Sequence, residues 1–285
     1  SLGLILPESF FNIAAFESAR DKLLSQNIIR LVDYDKPFKG LMTKAFALVL
    51  KRESSDITSE GISCESNNKT HNRSAASFLK NPKSIINFQS DAAAAKVIEH
   101  VYSIPHITLQ DRASWGLGIV TGNNGKFIRN SPAENHIPVW RGADIGKGNL
   151  SDPVCYIPAD LSLYQQVAPI DLYKAESKLI YKFISSNLCF FCDTAGRFIL
   201  NSANLLIPHD NFPISHSQLC DLLNSDFMNW LFSELFKTHK ILRGDIENLP
   251  IHVDYFRDRY LFDEMDFLNF LSIERMSNGT YRIKN

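Results

Sequence analysis

Between Trp115 and Ile128 the chain reads WGLGIVTGNNGKFI, which sets four glycines, two asparagines and one lysine in an otherwise apolar run. Glycines let a backbone come close to phosphates, and Asn and Lys side chains donate hydrogen bonds, so the stretch has the chemistry of a contact to phosphates or base edges. Two nucleotide fingerprints fail on spacing. A dinucleotide turn needs G-x-G-x-x-G between a strand and a helix, whereas Gly116, Gly118 and Gly122 are one residue too far apart and β-like sequence follows. A P-loop needs Gly-Lys-Ser/Thr, whereas Gly125-Lys126 is followed by Phe127. Two readings remain: a loop in which Gly122, Asn123, Asn124 and Lys126 approach a polyanion, or a hairpin turn with glycine at positive φ. Composition does not separate them.

Other residues invite chemistry more weakly. In IPVWRGADIGKG, Arg141 is suited to bidentate contact with guanine or phosphate, but Asp144 offers it an internal partner. Lys178, Lys182 and Arg197 fall on strand-like runs where basic residues are usually just solvated. Asp171 with Glu176 and Lys178 faintly resembles the acid-acid-lysine set of Mg²⁺ nucleases, with the acids too close for the usual hairpin. Cys189 and Cys192 form a C-x-x-C without a second pair or a flanking turn, which argues against zinc. The eight histidines are dispersed, and no Ser/His/Asp or Cys/His arrangement is legible.

The elements that must position these residues follow from periodicity. Over 285 residues, 45% hydrophobic and 21% charged, the chain has room for two globular units. A formal net charge of -1 excludes a general polyanion binder that works by overall charge, so any basic face is local. No apolar run reaches membrane-spanning length, no secretory leader pattern opens the sequence, and five scattered cysteines suit reduced thiols; the expectation is a cytoplasmic protein.

LGLILP reads as a strand, the Ala15–Leu24 periodicity as a helix, and IIRLVDY and AFALVL as two further strands. Residues 53–89 turn polar and are expected to be a linker or disordered insertion. Ser90 or Asp91 caps the predicted helix AAAAKVIEHVYS. Short β-like runs fill 115–208, SQLCDLLNSDFMNWLFSELF reads as one helix, FDEMDFLNFL as another, and Asn278-Gly279 as a hairpin turn.

Taken in order, these segments resemble a known family. LILPESFFN and the run from SARDKLL to AFALVLK are similar to the later strands of the adenine-N6 DNA methyltransferase domain of restriction-modification enzymes. WGLGIVTGNNGKFI, IPVWRGADI, KLIYKFISSNLCFFCD, LNSANLLIP, LCDLLNSDFMNWLF and LRGDIENLPI resemble, in order, the Taq-type target-recognition domain at the C-terminus of the type IIG-like members. The resemblance implies a mixed α+β chain: a partial α/β, Rossmann-like methyltransferase sheet over 1–52, the polar segment 53–89, and a mostly β target-recognition domain with helices over 90–285.

It also implies double-stranded DNA as partner and a base swung out of the duplex. Phe38 matches the aromatic residue that packs on the extruded adenine, the alternative being a core phenylalanine. Lys39 and Lys44 would meet the adjacent phosphates; Gly122, Asn123, Asn124 and Lys126, and more weakly Arg141, Lys182 and Arg243, would contact DNA. The Asn-Pro-Pro-Tyr motif and the Gly-rich turn for S-adenosylmethionine are absent from the sequence. The chain is therefore expected to be the C-terminal part, or a remnant, of a polypeptide whose upstream catalytic half binds S-adenosylmethionine, with Mg²⁺ needed only if an endonuclease is fused. The alternative is a stand-alone DNA-specificity subunit.

Overall fold

A computed structural model describes residues 1–36, 38, 40, 44–52 and 61–284. They form two compact units: Ser1–His106 with Glu234–Lys237 and Met265–Asn285, and Ile107–Ser233 with Thr238–Glu264.

The first unit is built on strands β1 (Leu2–Pro7), β2 (Ile28–Asp33), β3 (Ala45–Leu50), β4 (Ile62–Ser66) and β5 (Lys69–Arg73), in the order β1-β3-β2-β4-β5. β1 and β2 each run antiparallel to β3 and therefore parallel to one another, and the helix Glu17–Leu24 lies on the crossover between them. The apolar runs supply a core of Phe11, Leu24, Leu31, Phe46, Leu48 and Phe88, in which the Phe46 ring meets Phe11 and Phe88 edge-on at 5.1 and 5.0 Å. β1 is an edge, and Leu2 and Ile5 on it are 54% and 59% exposed.

The expected linker over 53–89 is corrected. Residues 53–60 lie outside the described residues, but Ile62 to Arg73 form a hairpin whose β4 pairs in parallel with β2. Ile62, Cys64 and Ser66 alternate inward along it. The polar residues that follow are held by two buried arginines. Arg20 donates to the carbonyls of Phe10, Ile13, Lys83 and Ser84, and Arg73 donates to those of Asn87 and Ser90 while its guanidinium lies 4.5 Å from the Phe78 ring centre. A segment with few apolar residues is ordered because buried cations satisfy its carbonyls, an interaction between distant residues that composition does not reveal. The helix Ala92–Ser103 is capped as expected, Asp91 Oδ1 accepting from Ala94 N at 2.8 Å, but it belongs to this unit and not to the one that follows.

The second unit holds β6 (Ala113–Leu117), β7 (His136–Trp140), a small hairpin of β8 (Ile145–Gly146) and β9 (Asn149–Leu150), β10 (Cys155–Pro158), β11 (Lys178–Lys182), β12 (Phe190–Asp193), β13 (Phe198–Ile199) and β14 (Ala203–Pro208). One antiparallel sheet runs β12-β11-β14-β6 and a second β10-β7-β13. Ile119, Val139, Ile157, Tyr173, Ile180, Ile199 and Leu205 form the core. The run expected as one helix is two, His216–Asn224 and Asp226–Phe236. Ser225 between them is extended (ψ 153°), and its Oγ caps the second helix by accepting from Met228 N. The chain re-enters the first unit at Met265, where the hairpin of β15 (Ile273–Arg275) and β16 (Tyr281–Ile283) is turned by Gly279 at φ +81°. Among the described residues no helix is long and apolar enough to cross a membrane.

Candidate nucleic-acid interface

The four glycines of WGLGIVTGNNGKFI have different duties. Gly116 sits on β6 where an added Cβ would lie 3.0 Å from Leu205 and 3.2 Å from Leu172, and at Gly118 it would lie 2.2 Å from the Leu200 carbonyl oxygen. Both are there for close packing, not for a phosphate. Gly122 makes the turn at φ +78°, and at Gly125 an added Cβ would make only an ordinary contact, 3.6 Å from Asn123 Oδ1.

After Gly122 the chain enters neither a strand nor a hairpin but one helical turn, Asn124–Phe127. Asn123 caps it: its Oδ1 accepts from Lys126 N at 3.1 Å, and its Nδ2 donors take no part in the cap. Thr121 Oγ1 donates to Asn124 Oδ1 at 2.6 Å and occupies that oxygen too. Below the turn Phe127 packs edge-on against Tyr164 at 5.3 Å, and Lys126 Nζ stands 4.8 Å from the Phe127 ring centre. Gly122 through Lys126 are exposed. The loop has an apolar foot and a surface of donors, the arrangement that accepts phosphate oxygens or purine acceptor edges.

The cations of this unit divide by whether a carboxylate neutralises them. Arg141 is committed to Asp144, with Nε and Nη2 at 3.2 and 3.1 Å from its oxygens, and this hydrogen bonding holds the Arg141 pKa above its ordinary value. The turn is fixed beneath: Gly142 N donates to Ser202 Oγ, and Trp140 Nε1 to Ser151 O. Arg243 pairs with Glu247 at 2.7 Å and lies over the Trp115 ring, and Arg243-Gly244-Asp245 opens a short helix, Arg243–Ile246, in which Asp245 Oδ2 accepts from Leu242 N. Lys147 meets Asp226, and Arg257 meets Asp254. By contrast, among the described residues no carboxylate lies within ion-pair distance of Lys126, Arg129 or Lys182. Arg129 escaped the sequence reading; its backbone is pinned to Tyr156 by two 2.9 Å hydrogen bonds, two residues beyond the helical turn. The signal for it was position alone, as the next basic residue of the same exposed stretch.

The remaining motifs are structural. Lys178 is fully buried, donates to the Tyr173 carbonyl at 2.6 Å and pairs with fully buried Asp193, which Arg197 also reaches at 2.5 Å. Burial opposes the charge on both groups, yet hydrogen bonds from Lys178 and Arg197 bring the Asp193 pKa below its ordinary value, while burial lowers that of Lys178. Lys178 is thus turned into the core, while Asp171 and Glu176 are exposed, so the nuclease-like set is not assembled. Cys189 and Cys192, three apart along a β run, face opposite sides: Cys189 donates to Ile145 O, and Cys192 lies 3.8 Å from Ser177 Oγ.

In the first unit, Phe38 lies in the connection between β2 and β3 and is 49% exposed, so it is not a core residue. Lys39 lies outside the described residues. Lys44 pairs with Asp35 at 3.2 Å and, with Glu8, Asp33, Ser66 and Lys237, lines a cavity of about 60 Å³. Burial lowers the Lys237 pKa.

Residues 137–251 match the model of the TaqI-like C-terminal specificity domain. The chain is 47% identical over 144 residues to the type II methyltransferase M.VspI of Vibrio sp. (strain 343); the match covers 50% of this chain and 35% of that protein, so this chain spans about a third of the relative's length. Its structure is similar to that of the type IIL restriction-modification enzyme MmeI in complex with DNA, with a TM-score of 0.50 and 12% identity over 86% of this chain and 38% of that one, a likeness of fold alone. Residues 137–251 are thus similar to the TaqI-like C-terminal specificity domain, in a chain that over half its length is similar to a type II methyltransferase.

Proposed function

We propose that this chain is the DNA target-recognition part of a site-specific adenine-N6 methyltransferase of the restriction-modification type. The observation that carries the reading is the division of cations in the second unit. Lys126 and Arg129 stand unpaired on one exposed loop beside the free amide donors of Asn123 and Asn124, while Arg141 and Arg243 are neutralised by Asp144 and Glu247. Unpaired cations on a fixed loop gain most from a phosphate, because no internal partner has to be given up. Arg141 and Arg243 accordingly take second rank as DNA contacts.

The first unit supports a methyltransferase parent over a stand-alone specificity module. Parallel β1 and β2, a crossover helix and an intercalated antiparallel β3 suit the later strands of a larger α/β sheet, and exposed Leu2 and Ile5 on the β1 edge suit a neighbour from an upstream catalytic half. Phe38, half exposed in the connection between β2 and β3, would stack on an extruded adenine in this reading.

S-adenosylmethionine does not fit the residues present. The crossover between β1 and β2 contains no glycine, and Phe11, buried in the core, occupies the turn where a cofactor would need close backbone approach. The cofactor therefore belongs to the upstream half, Mg²⁺ only to a fused endonuclease, and the cytoplasm is the compartment in which such an enzyme meets DNA. In the full-length parent, Phe38→Ala is expected to lower adenine methylation at least a hundredfold while duplex affinity changes less than threefold. Equal loss of both would remove Phe38 from the base pocket.

A further inference from the structure

A second exposed face of the specificity unit has the same chemistry as the loop but a different build. Ile184 lies directly opposite Lys240 across an isolated antiparallel bridge, with Ser185 N donating to His239 O at 3.1 Å and Ile241 N to Phe183 O at 2.9 Å. Residues opposed in this way carry their side chains on one face. Lys182, half-buried at the end of β11, stands two residues before Ile184 with a bend at Phe183 between them, so that Lys182, Ile184 and Lys240 are neighbours. Ile184 is 63% exposed, whereas Leu188 and Ile241 on the segments behind it are completely buried and anchor the pair.

Both chain reversals are closed by a hydroxyl. Ser185 Oγ donates to Asn187 O and accepts from Asn187 N, and Thr238 Oγ1 does the same with Lys240 O and N. Among the described residues neither Lys182 nor Lys240 has a carboxylate within ion-pair distance. A single exposed isoleucine is unremarkable, and so is a single surface lysine. Two unpaired lysines flanking an isoleucine, on a backbone held at both ends, form a preorganised strip of cation, apolar contact and cation.

We infer that Lys182, Ile184 and Lys240 form a clamp for the sugar-phosphate backbone of duplex DNA, the lysines meeting phosphates and Ile184 lying against deoxyribose. Charge complementarity selects the occupant: the strip presents cations and an apolar atom group with no acceptor, and the DNA backbone alternates anions with apolar sugars. The inference rests on the DNA reading of the specificity unit but adds a contact remote in sequence from Asn123–Lys126, and one that carries no base information. It also explains why Lys182, unlike Arg141 and Arg243, is left without a partner.

The test measures binding of the 285-residue chain to a mixed-sequence duplex by fluorescence anisotropy across a salt series. Lys182→Ala combined with Lys240→Ala is expected to weaken binding about tenfold on every duplex tried and to lower the slope of log K against log salt by about 2, as two lost phosphate contacts require. Ile184→Ser is expected to weaken binding about threefold with the slope unchanged, and thermal unfolding reports whether each variant is folded. A folded double variant with the wild-type slope overturns the clamp; if Lys126→Ala still lowers the slope in the same assay, the DNA reading of the loop stands. Should the double variant unfold, Lys182→Gln and Lys240→Gln, measured singly, decide by the same slope. A wild-type chain that fails to bind duplex at low salt overturns both.

Discussion

Asn123 Oδ1 accepts the backbone N–H of Lys126 at 3.1 Å, so one amide caps the helical turn through its oxygen and keeps its Nδ2 donors for another partner. These two duties are separable by substitution. Asp is as good a cap as Asn, but it replaces the donor by a second anionic acceptor. Asn123→Asp is expected to unfold within a degree or two of wild type and to bind duplex DNA at least tenfold more weakly, by calorimetry and anisotropy. Wild-type affinity in that variant would mean that the loop is a turn and nothing more.

The glycines of the same stretch should respond in opposite ways. Gly118→Ala places a methyl group 2.2 Å from the Leu200 carbonyl oxygen and 2.6 Å from that of Ala203, backbone atoms that cannot yield, and should cost about 3 kcal/mol or more. Gly125→Ala meets nothing closer than 3.6 Å within a helical turn and should be neutral or stabilise by up to about 1 kcal/mol. Chemical denaturation of the two variants reads this difference.

Lys178 and Asp193 are a buried pair, and removing one partner strands the other. Lys178→Ala is expected to cost roughly 3–5 kcal/mol in denaturant unfolding. Arg197→Ala should cost less, since Arg197 is partly exposed and Lys178 remains. Because hydrogen bonds from Lys178 and Arg197 hold the Asp193 pKa below its ordinary value against burial, the stability it contributes is present above the ordinary carboxylate pKa and is lost as pH falls through the lowered one. Unchanged stability in Lys178→Ala would reopen a chemical role for this lysine.

Asp245 behaves in the reverse sense. Burial pushes its pKa up to about 7, against the hydrogen bond from Leu242 N. A raised carboxylate pKa means that the folded state prefers the protonated form, so this contribution is complete below about pH 4 and disappears as pH rises through 7. Asp245→Asn keeps an acceptor for Leu242 N without the buried charge. It should be more stable than wild type at pH 8, by on the order of 3 kcal/mol, and the two should converge towards pH 4. Parallel pH profiles for both proteins would contradict a raised pKa.

The sequence announces some of this architecture and conceals the rest for identifiable reasons. β1, β2 and β3 are legible because their apolar runs are local signals. β4 and β5 are not, since ISCES is buried by pairing in parallel with β2, far earlier in the chain, and Arg73 at the end of KTHNR is buried by donating to the Asn87 and Ser90 carbonyls further along it. Ser225 breaks a periodic stripe that continues through it, because its hydroxyl caps the helix that follows. At the candidate interface Asn123, Asn124 and Lys126 were legible from residue type. The demotion of Arg141 and Arg243, and the prominence of Arg129 and Lys240, depend on which cations have a carboxylate beside them, and only the folded chain decides that.

The exposed loop after β6 is proposed to grip duplex DNA through Lys126 and Arg129. Salt dependence of duplex binding, measured for the wild-type chain and for the Lys126→Ala, Arg129→Ala double variant, decides the matter. A steep wild-type slope that falls by about 2 in the variant, with thermal unfolding unchanged, is the expected result. An unchanged slope and affinity in a folded double variant would contradict it.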